Sequence, residues 1–314
     1  MKRRGDRPRV ILLAGPTASG KSALALRLAE QVGGEIVNAD SMQVYRDLRI
    51  LTARPRPADE ARVPHRLYGH VKASQAYSVG RFVAEAAQAI TAVQAAGRWP
   101  IVVGGTGLYF KALLEGLAPV PEIDPDIRNH WRGAAEQLGP QRLYDMLRAR
   151  DPVMADRLRP SDSQRIVRAL EVLESTGRSL AQWQAEPAVP VLAAQDCIRL
   201  VVASERGALG ARIEARFDQM MADGALAEAR SIADLRLDPR LPAMRALGLR
   251  PLLAHLGGSM DLASAVAAAK AETRAYVKRQ QTWFTRNMQS WKRISAQEME
   301  CLVADFWTFI DCSP

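Results

Sequence analysis

Residues 10–22 read VILLAGPTASGKS, an apolar run that breaks into Gly15-Pro16-Thr17-Ala18-Ser19-Gly20-Lys21-Ser22. The spacing Gly-x-x-x-x-Gly-Lys-Ser, with a strand pattern before it and a helical pattern after it, is that of a phosphate-binding loop. Its glycines let backbone N–H groups turn inward toward phosphate oxygens. The helix that starts near Ser22 adds its positive end. Lys21 supplies a mobile charge, and the Ser22 hydroxyl is placed to reach a Mg²⁺ ion. Such a loop recognises a diphosphate group and does not read what is attached to it. ATP in a small-molecule or nucleoside kinase is therefore one reading, and a different diphosphate donor is another.

Working outward, SALALRLAEQVGG (22–34) has helical spacing and ends in a glycine pair, and EIVNAD (35–40) is a second strand closed by Asp40. The stretch TARPRPADEARVPH (52–65) is polar and proline-broken, which predicts a loop. GRFVAEAAQAITAVQAAG (80–97) reads as a helix and PIVVGG (100–105) as a third strand. Strands alternating with helices predict a phosphate-loop α/β core, a parallel sheet with helices on both faces. Ligands of such sheets sit at the carboxyl ends of strands. Three places share that position: the loop at Gly15, the end of strand two at Asp40, and Gly104 to Thr106 after strand three. Strand three ends without the carboxylate that phosphoryl transfer uses for its metal. Asp40 could serve a metal, or act as a base toward something bound opposite the loop.

From Leu117 the pattern changes. PVPEIDPDIRNHW (119–131) and PAVPVLAAQD (187–196) read as linkers around a helical stretch. Its clearest member, QRIVRALEVLESTG (164–177), carries Ile166, Val167, Leu170 and Leu173 at helical spacing. CIRLVVA (197–203) resumes a strand, and AKAETRAYVKRQQTWFTRN (269–287) is a long helix. The expected organisation is a core of residues 1–116 and 195–314 with an all-helical insertion at 117–194.

The chain has 314 residues, a formal charge of +9 and only 6% aromatic residues. That surplus favours a polyanionic partner. No apolar run is long enough to cross a bilayer, and the basic start MKRRGDRPRV lacks an apolar signal core. Cys197, Cys301 and Cys312 are three and widely spaced, which points to a reducing compartment, without a disulfide framework or zinc site. A cytoplasmic monomer with no membrane partner is expected. His65, His70, His130 and His255 have no metal spacing and read as structural.

Seven blocks together carry a resemblance: GPTASGKS, NADSMQVYRDLRILTARP, PHRLYG, SQAYSVGRF, VVGGTGLYFKALLEGL, SDSQRIVRALEV and RAYVKRQQTWF. In this order, from about Val10 to Arg286, the chain resembles the bacterial tRNA dimethylallyltransferases. The resemblance implies that the loop, Gly15 through Ser22, holds dimethylallyl diphosphate with help from Arg216, while Thr17 and Thr106 face the reacting centre. It implies transfer of the dimethylallyl group to N6 of adenosine 37, beside the anticodon, in tRNAs reading codons that begin with U. Asp40 matches the family's base and Thr106 its second catalytic position. The base must be turned out of its stack to be reached, and Asp40, Ser41, Met42 and Gln43 would read it, with Thr106 beside them. RNA contacts are implied at Arg128, at Gln164, Arg165, Ile166, Val167 and Arg168, at Arg245 and Arg250, and at Arg274, Lys278, Arg279 and Gln280. The tRNA anticodon stem-loop is the implied partner and Mg²⁺ the implied cofactor. The chain departs from the family where Gly-Thr-Ala-Lys is usual and Leu51-Thr52-Ala53-Arg54 stands, and at Leu249 and Pro251, where a tyrosine and an acid are common.

Overall fold

The computed structural model describes residues 10–203, 206–304 and 306; the basic N-terminal stretch and Cys312 lie outside them. Six strands form one sheet: β1 (Val10–Ala14), β2 (Gly34–Asn38), β3 (His65–Arg66), β4 (Trp99–Gly104), β5 (Cys197–Val202) and β6 (Lys292–Ile294). Their order is β3-β2-β4-β1-β5-β6. Every pairing between these strands is parallel. The helices are α1 (Lys21–Val32), α2 (Pro57–Arg62), α3 (Val79–Ala95), α4 (Gly107–Glu115), α5 (Pro125–Arg150), α6 (Pro152–Ala155) and α7 (Ser163–Thr176). They continue as α8 (Leu180–Trp183), α9 (Arg206–Ala222), α10 (Ala225–Asp234), α11 (Leu249–Leu256), α12 (Leu262–Asn287) and α13 (Ala296–Ala304).

Successive residues of a strand point to opposite faces, and both faces here are covered. Val10, Leu12 and Ala14 pack with α3, α4 and α10 to α12. Ile11 and Leu13 pack with α1 and α13. Double burial is why these strands read as unbroken apolar runs without alternation. No helix among the described residues is long and apolar enough to cross a membrane.

The chain divides into two compact units, residues 1–114 with 191–314, and residues 115–190. The second has its own core, in which Trp131, Leu143 and Leu147 of α5 meet Ile166 and Leu170 of α7.

Two expectations need correction. The stretch 52–65 is not loop throughout, because α2 starts at Pro57. The expected linker 119–131 likewise turns helical at Pro125, whose helix is capped by Asp124 accepting from Asp126 N at 2.8 Å. Both prolines stand in a first helical turn, where the missing N–H has no partner to lose. Strands β3 and β6 have two and three residues, too few for a period to show in sequence.

Candidate active site

Because β4 lies between β2 and β1, the segments that leave all three strands meet at one edge. Gly15 N donates to Gly104 O at 3.3 Å, and Thr106 N to Ala39 O at 3.2 Å. A Cβ at Gly104 would overlap the Ala39 carbonyl, so this crossing requires glycine. Thr106 Oγ1 accepts from Ser41 N at 3.0 Å and lies 3.3 Å from Ser41 Oγ. The Thr106 hydroxyl thus holds the Asp40–Gln43 segment in place.

In the loop, Ala18 and Gly20 take positive φ values of 63° and 90°, and Ser19 N donates to Pro16 O at 3.3 Å. Helix α1 starts without a side-chain cap, which leaves its first N–H groups for an anion. Ser19 Oγ is buried with no hydrogen-bond partner, an orphan of the kind a bound anion satisfies. Lys21 Nζ donates to Pro16 O at 3.2 Å. Burial pulls its ammonium down to about 8, with Asp40 opposing and Arg216 assisting. Arg216 is lowered in turn, chiefly by burial, with Asp40 opposing. Two cations held this way, short of water and lacking full compensation, form a site that favours an anion.

Asp40 follows β2. Its N–H donates to Asn38 Oδ1 at 2.8 Å, while Asn38 Nδ2 donates to Asp40 O and Leu67 O, each at 3.0 Å. Asp40 Oδ1 accepts from Met42 N at 2.9 Å. The carboxylate acts on Lys21, Arg216 and three tyrosines. The phenols of Tyr68, Tyr109 and Tyr276 are all pushed up, first by burial and then by the charge of Asp40. They stay protonated and keep an O–H to donate.

Gln280 is buried at the middle of this arrangement. Its Oε1 accepts from Thr17 N at 3.0 Å and its Nε2 donates to Gly105 O at 2.8 Å. The resemblance puts Gln280 on the RNA; the structure puts its amide between the phosphate loop and the end of β4. Lys278 and Arg279, its neighbours on α12, are exposed, and so are Arg245 and Arg250. Arg274 is exposed as well and pairs with Glu214. Arg274 and Lys278 line a groove of about 540 Å³ against α9. Ser22 and Arg216 line a larger cleft of about 890 Å³, with Arg49, Arg54 and Arg56 around it. Met42 packs partly into the core.

In the helical unit Gln164 and Arg165 are exposed and Arg128 and Arg168 partly so. Ile166 and Val167 are buried in its core, which corrects the expectation that they reach RNA. Their spacing is that of a helix's inner face. The departures at Leu51, Leu249 and Pro251 are buried, so apolar packing takes up those changes. Arg54 donates to Tyr45 O and Arg46 O at 3.1 and 3.3 Å.

Among the described residues no three of His, Cys, Asp and Glu gather into a metal cage. A magnesium ion carried on a diphosphate needs only one or two protein oxygens, and the exposed Ser22 hydroxyl fits that demand. Sequence reasoning missed the three tyrosines and the stitching role of Gln280. Each lies inside a quoted block (PHRLYG, GGTGLYF, RAYVKRQ), so recurrence beside the expected site residues was the available signal.

A family model described as IPP transferase matches residues 43–287. The chain belongs to that family. Among its relatives, a tRNA dimethylallyltransferase of Parvibaculum lavamentivorans is 52% identical over 303 residues, covering 96% of each chain. One from Nitrobacter hamburgensis is 52% identical over 290 residues, covering 92% of each. Among solved structures, a tRNA isopentenylpyrophosphate transferase of Bacillus halodurans superposes with a TM-score of 0.69 at 30% identity, covering 97% of this chain and 96% of its own. A eukaryotic dimethylallyltransferase acting on tRNA reaches a TM-score of 0.82 at 27% identity, covering 98% of this IPP transferase and 80% of its own length.

Proposed function

We propose that this IPP transferase moves the dimethylallyl group of dimethylallyl diphosphate to N6 of adenosine 37 in tRNA. The single observation that carries the reading is the meeting of Asp40 with the phosphate loop across Gly104 and Gly105. That juxtaposition suits a diphosphate on one side and a nucleophile on the other. The C1–O bond of the donor breaks as the N6–C1 bond forms, the electron pair leaves with diphosphate, and the amine proton passes to the Asp40 carboxylate. Loop N–H groups, Lys21 and Arg216 stabilise the growing charge on the leaving group most strongly as it develops. Mg²⁺, held by Ser22 and the diphosphate, would neutralise part of the same charge. Asp40 hydrogen-bonds an amine whose lone pair is spread into the ring, and so makes it a better nucleophile.

The partner is the anticodon stem-loop, gripped through Arg128, Arg165 and Arg168 of the helical unit and through Arg245, Arg250, Lys278 and Arg279 of the α/β unit. The protein works as a monomer in the cytoplasm, on tRNAs that read codons beginning with U. A kinase reading fares worse, because β4 runs into Gly105-Thr106 with no carboxylate for the metal of ATP. Incubation with dimethylallyl diphosphate, Mg²⁺ and unmodified tRNA, followed by mass analysis of the nucleosides, is expected to give N6-dimethylallyladenosine at position 37. A folded protein that yields none rejects the proposal.

A further inference from the structure

Glu228 of α10 belongs to none of the motif blocks, yet it is anchored beside the segment that leaves Asp40. Its carboxylate accepts three successive backbone N–H groups, from Arg49 and Ile50 at 2.7 Å each and from Leu51 at 2.9 Å. Hydrogen bonds to an ionised acceptor are short and strong, and three of them fix the turn at residues 48–54. The turn also closes on itself, with Thr52 Oγ1 donating to Leu48 O at 2.6 Å and Arg54 N to Arg49 O at 3.0 Å. Ala53 takes a φ of 48° there.

The two carbonyls at the tip, Thr52 O and Ala53 O, both accept from Gln43 Nε2, at 2.9 and 2.8 Å. Two acceptors around one end of an amide identify that end as the NH₂, and they use both of its hydrogens. Only the acceptor Oε1 is left to offer. Gln43 stays partly exposed and directly follows Asp40-Ser41-Met42.

We propose that Glu228 is a positioning residue that fixes the turn at 48–54 and thereby locks the Gln43 amide with its carbonyl oxygen offered to the base. This deepens, and rests on, the tRNA-prenylating reading. An acceptor at that place suits a purine with an amino group at C6. Against a C6 carbonyl, two lone pairs meet and both groups lose their partner. The same lock that orients the segment after Asp40 then selects adenine over a 6-oxopurine.

The test titrates fluorescent anticodon stem-loops carrying adenosine or inosine at position 37 against three proteins: wild type, Glu228→Gln and Gln43→Met. The wild type is expected to bind the adenosine form about 10- to 100-fold more tightly, the cost of leaving site polar groups unpaired. The neutral amide of Glu228→Gln cannot accept three N–H groups, so the turn loosens, the Gln43 amide rotates and the ratio falls several-fold, leaving the share that the Asp40 carboxylate contributes. Gln43→Met removes the acceptor without touching Glu228 and is expected to lower the ratio to the same extent, with melting temperature reporting that each variant folds. A wild-type ratio near one, or a full ratio in either folded variant, overturns the proposal. Prenylation of the adenosine stem-loop by the wild type, measured alongside, reports separately on the underlying reading.

Discussion

The two units carry their polar side chains in opposite ways. Around the phosphate loop of the α/β unit, polar groups are buried or half-buried and tied to backbone: Gln280 to Thr17 N and Gly105 O, Thr106 to Ser41 N, Asn38 to Asp40 and Leu67 carbonyls. In the helical unit Asp151 and Glu171 are buried, but most charges sit at the surface and pair with one another, Arg165 with Asp162 at 3.5 Å and Arg150 with Glu174 at 3.0 Å. Breaking a bond of the first kind leaves a buried group unpaired, at about 1–3 kcal/mol each. Breaking one of the second kind costs about 0–1 kcal/mol. The first arrangement holds atoms in place for chemistry. The second can exchange a carboxylate for a phosphate at small cost, which suits a grip on RNA. Substitutions among the groups that hold the phosphate loop and Asp40 are therefore expected to act mainly on turnover, and those on the helical surface on affinity and its dependence on salt.

The largest effect tests the first half of that contrast. Asp40→Asn keeps the size of the side chain and the acceptor for Met42 N, but loses the charge proposed to take the amine proton. Turnover is expected to fall by about 10² to 10⁴, the usual share of a general base, while anticodon stem-loop affinity stays near wild type. Single-turnover kinetics and equilibrium binding on the same preparation check it. A matching loss of RNA affinity would erase the distinction between the units.

A smaller effect is set by pH. Lys21, lowered to about 8 by burial, is cationic below that value and neutral above it. A bound diphosphate draws the proton back, so donor affinity is expected to drop by up to about tenfold per unit as pH rises past 8. In Lys21→Arg the cation persists throughout this range, and the break near pH 8 should vanish. Donor affinity measured from pH 7 to 9.5 for both proteins decides it. A wild-type profile without a break shows that the loop attracts its anion through backbone N–H groups and Arg216 alone.

How far the sequence revealed all this followed from the range of the interactions. The loop, β1, β2 and β4 were legible because each depends on local chemistry: glycines at positive φ, doubly buried apolar runs, an acid closing a strand. Helix α2 and the start of α5 were hidden because a proline reads as a breaker until its place in the first turn is known. The role of Gln280 was out of reach, since its partners Thr17 and Gly105 lie 263 and 175 positions away, and no local pattern encodes such a separation. Glu228 was hidden for the same reason, its partners lying 177 to 179 positions before it. Ile166 and Val167 show the opposite failure. The resemblance placed a whole block on RNA, whereas helical periodicity divides that block between an outer and a buried face.

The smallest expected effect separates two jobs for one arginine. Arg168 lies 3.5 Å from Glu171, a carboxylate with 5% of its side chain exposed, and Arg132 reaches the same carboxylate at 3.5 Å from α5. If Arg168 serves only to neutralise Glu171, Arg168→Ala should lower the melting temperature and leave the salt dependence of RNA binding alone. If it also meets a phosphate, the substitution should weaken binding of every stem-loop alike and reduce the slope of log affinity against log salt by about 0.7 to 0.9, the value for one phosphate contact. The second outcome is expected, because Arg132 remains to neutralise Glu171 and the Arg168 side chain keeps 41% of its surface exposed. Anisotropy titrations from low to moderate salt resolve a change of that size. An unchanged slope would assign Arg168 to the fold of the helical unit and leave the RNA grip there to Arg128 and Arg165.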